Sequence, residues 1–299
     1  MYENRARLAA LWESELELFR RMRPTSRAEF DRAVEHMPDG VPMLWMSKWP
    51  GLWPVYVSRA SGAHFECLDG IDHVDFCLGD TGAMCGHAPE PSVRAISAQL
   101  AMGSTFMLPT HDAALAAEAL ASRFAVPVWQ FSLSATDANR SLIRFARQVT
   151  KRSKIVVHDY SYHGTVDEAY ATLDDAGNVI SRRGNIGAPV PLAQTTAVVP
   201  FNDLPALQAA LATGDIAAVL IEPALTNIGI VLPDAEYHRG VRDLCTRYGA
   251  ILIIDETHTF SAGPGGMIAE LGLEPDAVVL GKSIGGGIPA GAYGMTMAS

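Results

Sequence analysis

The stretch "VVLGKSIGGGIPAGAYG", Val278 to Gly294, decides how this chain is read. Val278, Val279 and Leu280 make a short apolar run between Pro275 and Gly281, the pattern of a strand buried on both faces. Lys282 follows at once, and Gly285, Gly286 and Gly287 come after it. A lysine at the end of a buried strand is carried either out to water or into a pocket. The glycines follow the lysine instead of preceding it, so the stretch is no phosphate-binding P-loop. No GxGxxG joins a strand to a helix elsewhere, which argues against a dinucleotide site.

The totals narrow the classes further. A length of 299 residues allows about two domains, or one large α/β domain. Hydrophobic content of 48% and charged content of 19% describe a globular protein with ample core. A net charge of −10 argues against nucleic acid or an anionic membrane as partner. Cys67, Cys77, Cys85 and Cys245 form no CxxC pair and no His cluster accompanies them, so buried free thiols are expected and no metal site. The N-terminal "MYENRARLAALWESELELF" is charged throughout and lacks the apolar core of a signal peptide. No run approaches the roughly 18 apolar residues of a membrane span. A soluble, cytoplasmic protein is expected.

Leu8, Leu11, Trp12, Leu16, Phe19 and Met22 recur at helical spacing, predicting an amphipathic helix that Pro24 ends. Its apolar side is expected to pack on its own domain or on a partner subunit. A Pro-, Gly- and Trp-rich loop follows ("MPDGVPMLWMSKWPGLWP"). Next, "VYVSRASGAHFECLDGIDHVDF" reads as two hairpins with turns at Ser61-Gly62 and Asp69-Gly70. Residues 1–75 are therefore expected to form an N-terminal segment, and 76–299 a large domain. In that larger part, helices are predicted at Glu90–Met102, His111–Arg123, Asp137–Thr150, Leu204–Ala212 and Ala235–Tyr248. Strands are predicted at Trp129–Leu133, Ile155–His158, Thr196–Val199, Ala217–Ile221, Ile251–Ile254 and Ala277–Leu280. Strands without alternation fit an α/β fold with a mainly parallel sheet covered by helices. The polar stretch from Asp174 to Ala188 reads as a surface loop.

In open α/β sheets ligands gather at the carboxyl ends of strands. Ser134, Ala135 and Thr136 end one strand and open a helix, a place that suits a phosphate or a simple cap. "ILIIDETHTF" delivers Asp255 to a second strand end, to meet a cation, donors or a structural ion pair. "AVLIEPALTN" places Glu222 and Asn227 at a third. Lys282 stands at a fourth, and Tyr162 and His163 lie in the loop after Ile155–His158. His87, His158 and His163 read as loop or core histidines rather than metal ligands. A lysine for an aldehyde, a carboxylate for a pyridinium nitrogen, a phosphate cradle and an aromatic face together suit pyridoxal phosphate.

At this point the chain resembles the class III (fold type I) pyridoxal-phosphate aminotransferases, especially the glutamate-1-semialdehyde aminomutase-like branch. The likeness runs through "GAHFECLDGIDHVDF", "GHAPE", "SATDAN", "YHG", "IEPALTN", "IIDE" and "GKSIGGGIPAGAYG", in that order. The resemblance implies that Lys282 forms a Schiff base with the cofactor and that Asp255 binds the pyridine nitrogen. It implies that Ser134, Ala135 and Thr136 hold the phosphate. Tyr162 would stack on one ring face, Thr257 would cover the other, and Asn227 would stand near the ring hydroxyl. A homodimer is implied as well.

Three departures qualify the likeness. Ala135 and Asp137 replace a common glycine and glutamate, and a backbone cradle tolerates alanine if φ stays negative. No arginine lies between Gly40 and Ser58, where relatives hold the substrate carboxylate; Trp45, Lys48 and Trp49 stand there instead. Trp45, Lys48, His163 and Glu222 are the expected substrate-side residues. Family members also continue past the lysine into a C-terminal small domain, which is expected to be absent here because the chain stops at Ser299. The expected activity is transfer of an amino group from an amino acid or amine to a keto acid or aldehyde. A mutase moving an amino group within one substrate, and a truncated non-catalytic domain acting by association, are the alternatives.

Overall fold

Pro24 does more than end a helix. In the computed structural model, which describes residues 4–124 and 126–296, it is the first residue of a second helix. Helix α1 (Arg5–Met22) stops at Arg23, and α2 (Pro24–Ala33) starts where proline's missing N–H would find no partner anyway. The two predicted hairpins form one antiparallel sheet of β1 (Val57–Ser61), β2 (His64–Cys67) and β3 (Asp72–Val74). Asp69, in the second turn, accepts from the Thr25 N–H at 2.6 Å and the Ser26 hydroxyl at 2.5 Å. A carboxylate thus caps the free amides at the start of α2. Phe19 packs edge-on against Trp53, while Leu8, Leu11 and Trp12 on α1 stay exposed.

The chain divides into two compact units, one ending at Ser97 and one starting at Ala98. The division falls inside α3 (Glu90–Met102). After it come α4 (His111–Phe124), β4 (Val128–Ser132), α5 (Ala135–Thr150) and β5 (Lys154–His158). A short pair, β6 (Ala171–Leu173) and β7 (Val179–Ser181), precedes β8 (Thr196–Val199), α6 (Leu204–Leu211) and β9 (Ile216–Ile221). The unit closes with α7 (Tyr237–Tyr248), β10 (Ile251–Asp255), α8 (Gly266–Leu271), β11 (Ala277–Leu280) and β12 (Gly291–Met295).

Seven strands form one sheet in the order β4-β12-β11-β10-β9-β5-β8. Pairings are parallel except those of β12, which runs against both its neighbours. Every residue of β9 is buried, because helices cover both faces. Val219 and Ile221 share a core with Leu207 of α6 and Val241 of α7, while Ala218 and Leu220 share one with Leu142 and Ile143 of α5. That double burial is why the strands read as unbroken apolar runs. The α/β architecture with a mainly parallel, helix-covered sheet is the expected one.

Several elements differ from the reading of the sequence, among them the short helix α8, which no predicted helix covers. The Asp174–Ala188 surface loop contains the second strand of the β6–β7 hairpin, whose turn is tied by Asp174 accepting from the Ala176 and Asn178 amides. β12 was not anticipated, since Gly291, Gly294 and Pro289 obscure its strand character. The thiols also differ: Cys67 and Cys245 are buried, but Cys77 is half-buried and Cys85 exposed. Among the described residues, no helix is long and apolar enough to cross a membrane.

β12 enters the sheet opposite Ser132 through Gly291, where a methyl group would stand 2.4 Å from the Ser134 carbonyl. Gly291→Ala is therefore expected to destabilise the chain by about 1–3 kcal/mol, the usual range for overpacking. Urea unfolding measures this, and an unchanged midpoint would mean that the contact relaxes freely.

Candidate active site

The parallel strands bring the predicted groups to one edge of the sheet. Asp255 ends β10 and pairs in register with Val279 of β11, three residues before Lys282. Asp255 is only 3% exposed, and both its oxygens are occupied. Asn139 Nδ2 on α5 and His163 Nδ1 donate to Oδ2, each at 2.9 Å. The Thr257 amide and hydroxyl donate to Oδ1 at 3.0 and 2.5 Å. Burial by itself would raise this carboxyl. The bond and charge of His163, with the bonds from Thr257 and Asn139, outweigh it and hold Asp255 below its ordinary value. The group is a buried carboxylate, able to face a cation.

Next to it, Glu256 engages a separate set of groups. It accepts from the Thr259 hydroxyl and from the Ile268 amide at 2.5 Å, closing the start of α8. Burial raises its carboxyl, against the pull of those donors. Glu256 belongs to the frame.

Ser134 ends the β4 connection as the N-cap of α5: its hydroxyl accepts from the Asp137 amide at 3.2 Å and donates to the Asp137 carboxylate at 2.9 Å. Ala135 and Thr136 form the first helical turn, and Ala135 keeps a negative φ. The Thr136 hydroxyl accepts from the Thr165 amide at 3.1 Å, which leaves its proton to donate elsewhere. Gly164 lies against it at φ +78°, and a Cβ there would come within 2.1 Å of Thr136 Oγ1. Only glycine fits that position.

The loop after β5 approaches from the other side. His163 is buried, bonded to Asp255 through Nδ1, and its carbonyl accepts from Asn139 at 3.1 Å. Tyr162 is partly exposed, and its amide donates to Glu222 Oε1 at 2.9 Å. Glu222, at the end of β9, is itself buried and accepts from the Thr226 hydroxyl at 2.7 Å. Burial raises its carboxyl; the charge of His163 and the bonds from Thr226 and Tyr162 oppose this. Asn227 sits one residue further, exposed, in the turn bridged by Leu225 and Val231. Lys282 is half-buried and adopts φ +51°, an uncommon conformation for a non-glycine residue that marks a constrained position.

Comparison with known proteins places the chain in a family. The family model described as "Aminotransferase class-III" matches residues 46–298. The chain belongs to the class III aminotransferase family. A curated relative from Sulfurihydrogenibium azorense, named glutamate-1-semialdehyde 2,1-aminomutase, is 38% identical over 274 residues, covering 90% of this chain. A crystal structure of a glutamate-1-semialdehyde-aminomutase from Pseudomonas aeruginosa superposes with a TM-score of 0.95 at 47% identity, covering 98% of this chain and 64% of that one. An omega-transaminase from Sphaerobacter thermophilus superposes at 0.87 with 30% identity, covering 93% of this chain and 65% of that one. The chain spans 64% of the length of the Sulfurihydrogenibium azorense relative. Its sheet and helices have the fold type I architecture of these neighbours.

Within this class III chain, Ser134, Ala135, Thr136, Tyr162, His163, Glu222, Asn227, Asp255, Thr257 and Lys282 all belong to the unit from Ala98 onward. Trp45 and Lys48 belong to the other, on an exposed 3-10 turn (Leu44–Lys48). His158 is a core histidine: its Nε2 meets the Tyr237 hydroxyl at 2.7 Å, and burial, with the charges of His163 and His238, pushes it down to about 3. His87 meets Asp75 at 2.6 Å. Among the described residues, no group of three or more His, Cys, Asp or Glu could hold a metal ion. Asn139 was missed in the sequence. The available signal was an amide on the otherwise apolar buried face of α5, beside Ala138, Leu142 and Ile143.

A carboxyl held below its ordinary value of 3.8 stabilises the fold above that pH, and the contribution is lost as pH falls through the depressed value. The stability gap between the wild type and Asp255→Asn should be flat above about pH 4–5 and narrow below that in urea unfolding series. A gap that stays constant across the acid range would mean that Asp255 is not ionised in the fold.

Proposed function

We propose that this chain provides the cofactor-binding part of a pyridoxal-phosphate-dependent aminotransferase. The observation that carries the reading is a buried carboxylate, Asp255, at the end of the strand paired with the one that delivers Lys282. The cradle fits the same group: free amides at the start of α5, the Thr136 proton, and a backbone approach at Gly164 that a side chain would block. Related proteins support it, since a variant of the Pseudomonas aeruginosa structure was solved in complex with PMP and a 35% identical transaminase with PLP bound. When bound, pyridoxal phosphate supplies an aldehyde for an amine and a ring that accepts electrons from the substrate's Cα.

The residues then divide the work. Lys282 would hold the cofactor's aldehyde carbon until a substrate amine displaced it, and the ε-amine so freed would be the general base for the proton on the substrate's Cα. The negative charge of Asp255 would favour a protonated ring nitrogen. Thr136 and the amides around Ser134 and Ala135 would bind the phosphate. Tyr162 and Thr257 would face the two sides of the ring, and Asn227 would stand toward its hydroxyl. Their burial makes His163 and Glu222 supports of this array rather than substrate contacts. Trp45 and Lys48 remain the residues proposed on the substrate side, where the missing arginine implies a bulkier or less acidic substrate. The amino donor and the keto acceptor are small molecules, and the active assembly is a cytoplasmic homodimer.

A second reading, intramolecular amino transfer, is favoured by the aminomutase names of the relatives. An assay with substrate but no keto acceptor separates the two, because only a mutase turns over repeatedly. For the shared chemistry, the wild type with added cofactor should be yellow, and borohydride should bleach it and fix the cofactor's mass on the peptide containing Lys282. Lys282→Ala should keep the fold and lose turnover, and Asp255→Asn should bind cofactor but slow proton transfer by roughly 10²–10⁴-fold. A chain that binds no cofactor under these conditions would leave only the associating, non-catalytic alternative.

A further inference from the structure

One peptide bond in the site is held at both ends by opposite charges. Arg182 Nη2 donates to the Ser161 carbonyl at 2.6 Å. The N–H of the same peptide unit, that of Tyr162, donates to Glu222 Oε1 at 2.9 Å. Because a peptide unit is planar, two bonds at its opposite ends fix the orientation of the whole plane. That plane fixes the N–Cα bond of Tyr162, the root from which its side chain leaves the backbone. Bonds to ionised groups are about twice as strong as neutral ones.

Each arm of the clamp is itself anchored. Arg182 closes the β6–β7 hairpin, its own amide donating to the Tyr170 carbonyl at 2.7 Å. The hairpin is tied back to the loop where Asp159 accepts from the Thr172 hydroxyl at 2.6 Å and the Leu173 amide at 3.2 Å. Glu222 is set by the end of β9 and by Thr226. The loop needs such support, since Tyr160 at φ +63° and Gly164 at φ +78° hold left-handed conformations on either side of the clamped peptide. Arg182 is half-buried, and burial lowers it while the charges of Asp159, Tyr170, Glu222 and Tyr162 oppose that.

We propose that Arg182 and Glu222 clamp the Ser161–Tyr162 peptide and so set the Tyr162 ring against the cofactor, which makes both of them positioning residues. The proposal rests on the reading of Tyr162 as a ring-facing residue. It gives the hairpin a purpose: to bring a guanidinium to a carbonyl that no strand or helix satisfies.

The test is amide hydrogen exchange across residues 159–164 of the full chain without cofactor, normalised to β5, for wild type, Arg182→Met, Glu222→Gln and the double variant. Each single variant should speed exchange of the Tyr162 amide by about tenfold, the effect of losing one charge-assisted bond. Titration with pyridoxal phosphate, followed by absorbance, should show weaker binding by a similar factor, with Arg182→Lys recovering part of both losses. The double variant should be little worse than the worse single, because both arms act on one peptide. A lower unfolding temperature with unchanged Tyr162 exchange would reduce Arg182 to a structural role and overturn the clamp. A wild type that binds no cofactor would instead overturn the proposed function, leaving the exchange result to judge the clamp by itself.

Discussion

A carboxylate removed from water is tolerable only where donors replace its hydration, and Asp255 obtains four. They come from α5, from the loop after β5 and from the turn that follows β10. The same requirement therefore draws three separate segments of the chain together at the end of one strand. Were any donor lost, the carboxylate would either shift toward its neutral form or pull the surrounding segments out of place. The site is arranged around that negative charge, and its geometry is a consequence of keeping it ionised.

The neighbouring Glu256 makes the point by contrast. Both acids leave the end of the same strand and both are buried, yet Glu256 meets a hydroxyl and backbone amides at the start of a helix, and burial raises it. One carboxyl is kept charged by a histidine, an amide and a threonine; the other fastens α8. The difference lies in the partners, since depth is nearly the same. Similar reasoning applies to Glu222, which spends its two oxygens on a loop amide and a hydroxyl.

Much of this is legible in the amino-acid sequence. The unbroken apolar runs predicted the parallel strands because burial on both faces removes alternation, and each run ended on the residue that the sheet carries to its edge. Lys282, Asp255 and the Ser134–Thr136 turn followed from that rule. β12 was hidden because its tight contacts require glycines at 291 and 294, and glycine lowers strand character in sequence. The β6–β7 hairpin was hidden by strands of three residues around a polar turn, too short for any periodicity. Asn139 lay within a quoted motif but carried no spacing signal; only its place on the apolar face of α5 distinguishes it. His163 was read both as a loop or core residue and as a substrate-side group, since its partner is 92 positions away and no local pattern links them.

The central claim is that position 255 presents a negative charge to the nitrogen of a bound pyridine ring. The most direct measurement is the ¹⁵N chemical shift of pyridoxal phosphate labelled at its ring nitrogen and bound to the full chain at neutral pH. A protonated nitrogen in the wild type, turning unprotonated in Asp255→Ala, is the predicted result. An unprotonated nitrogen in the wild type would contradict the account.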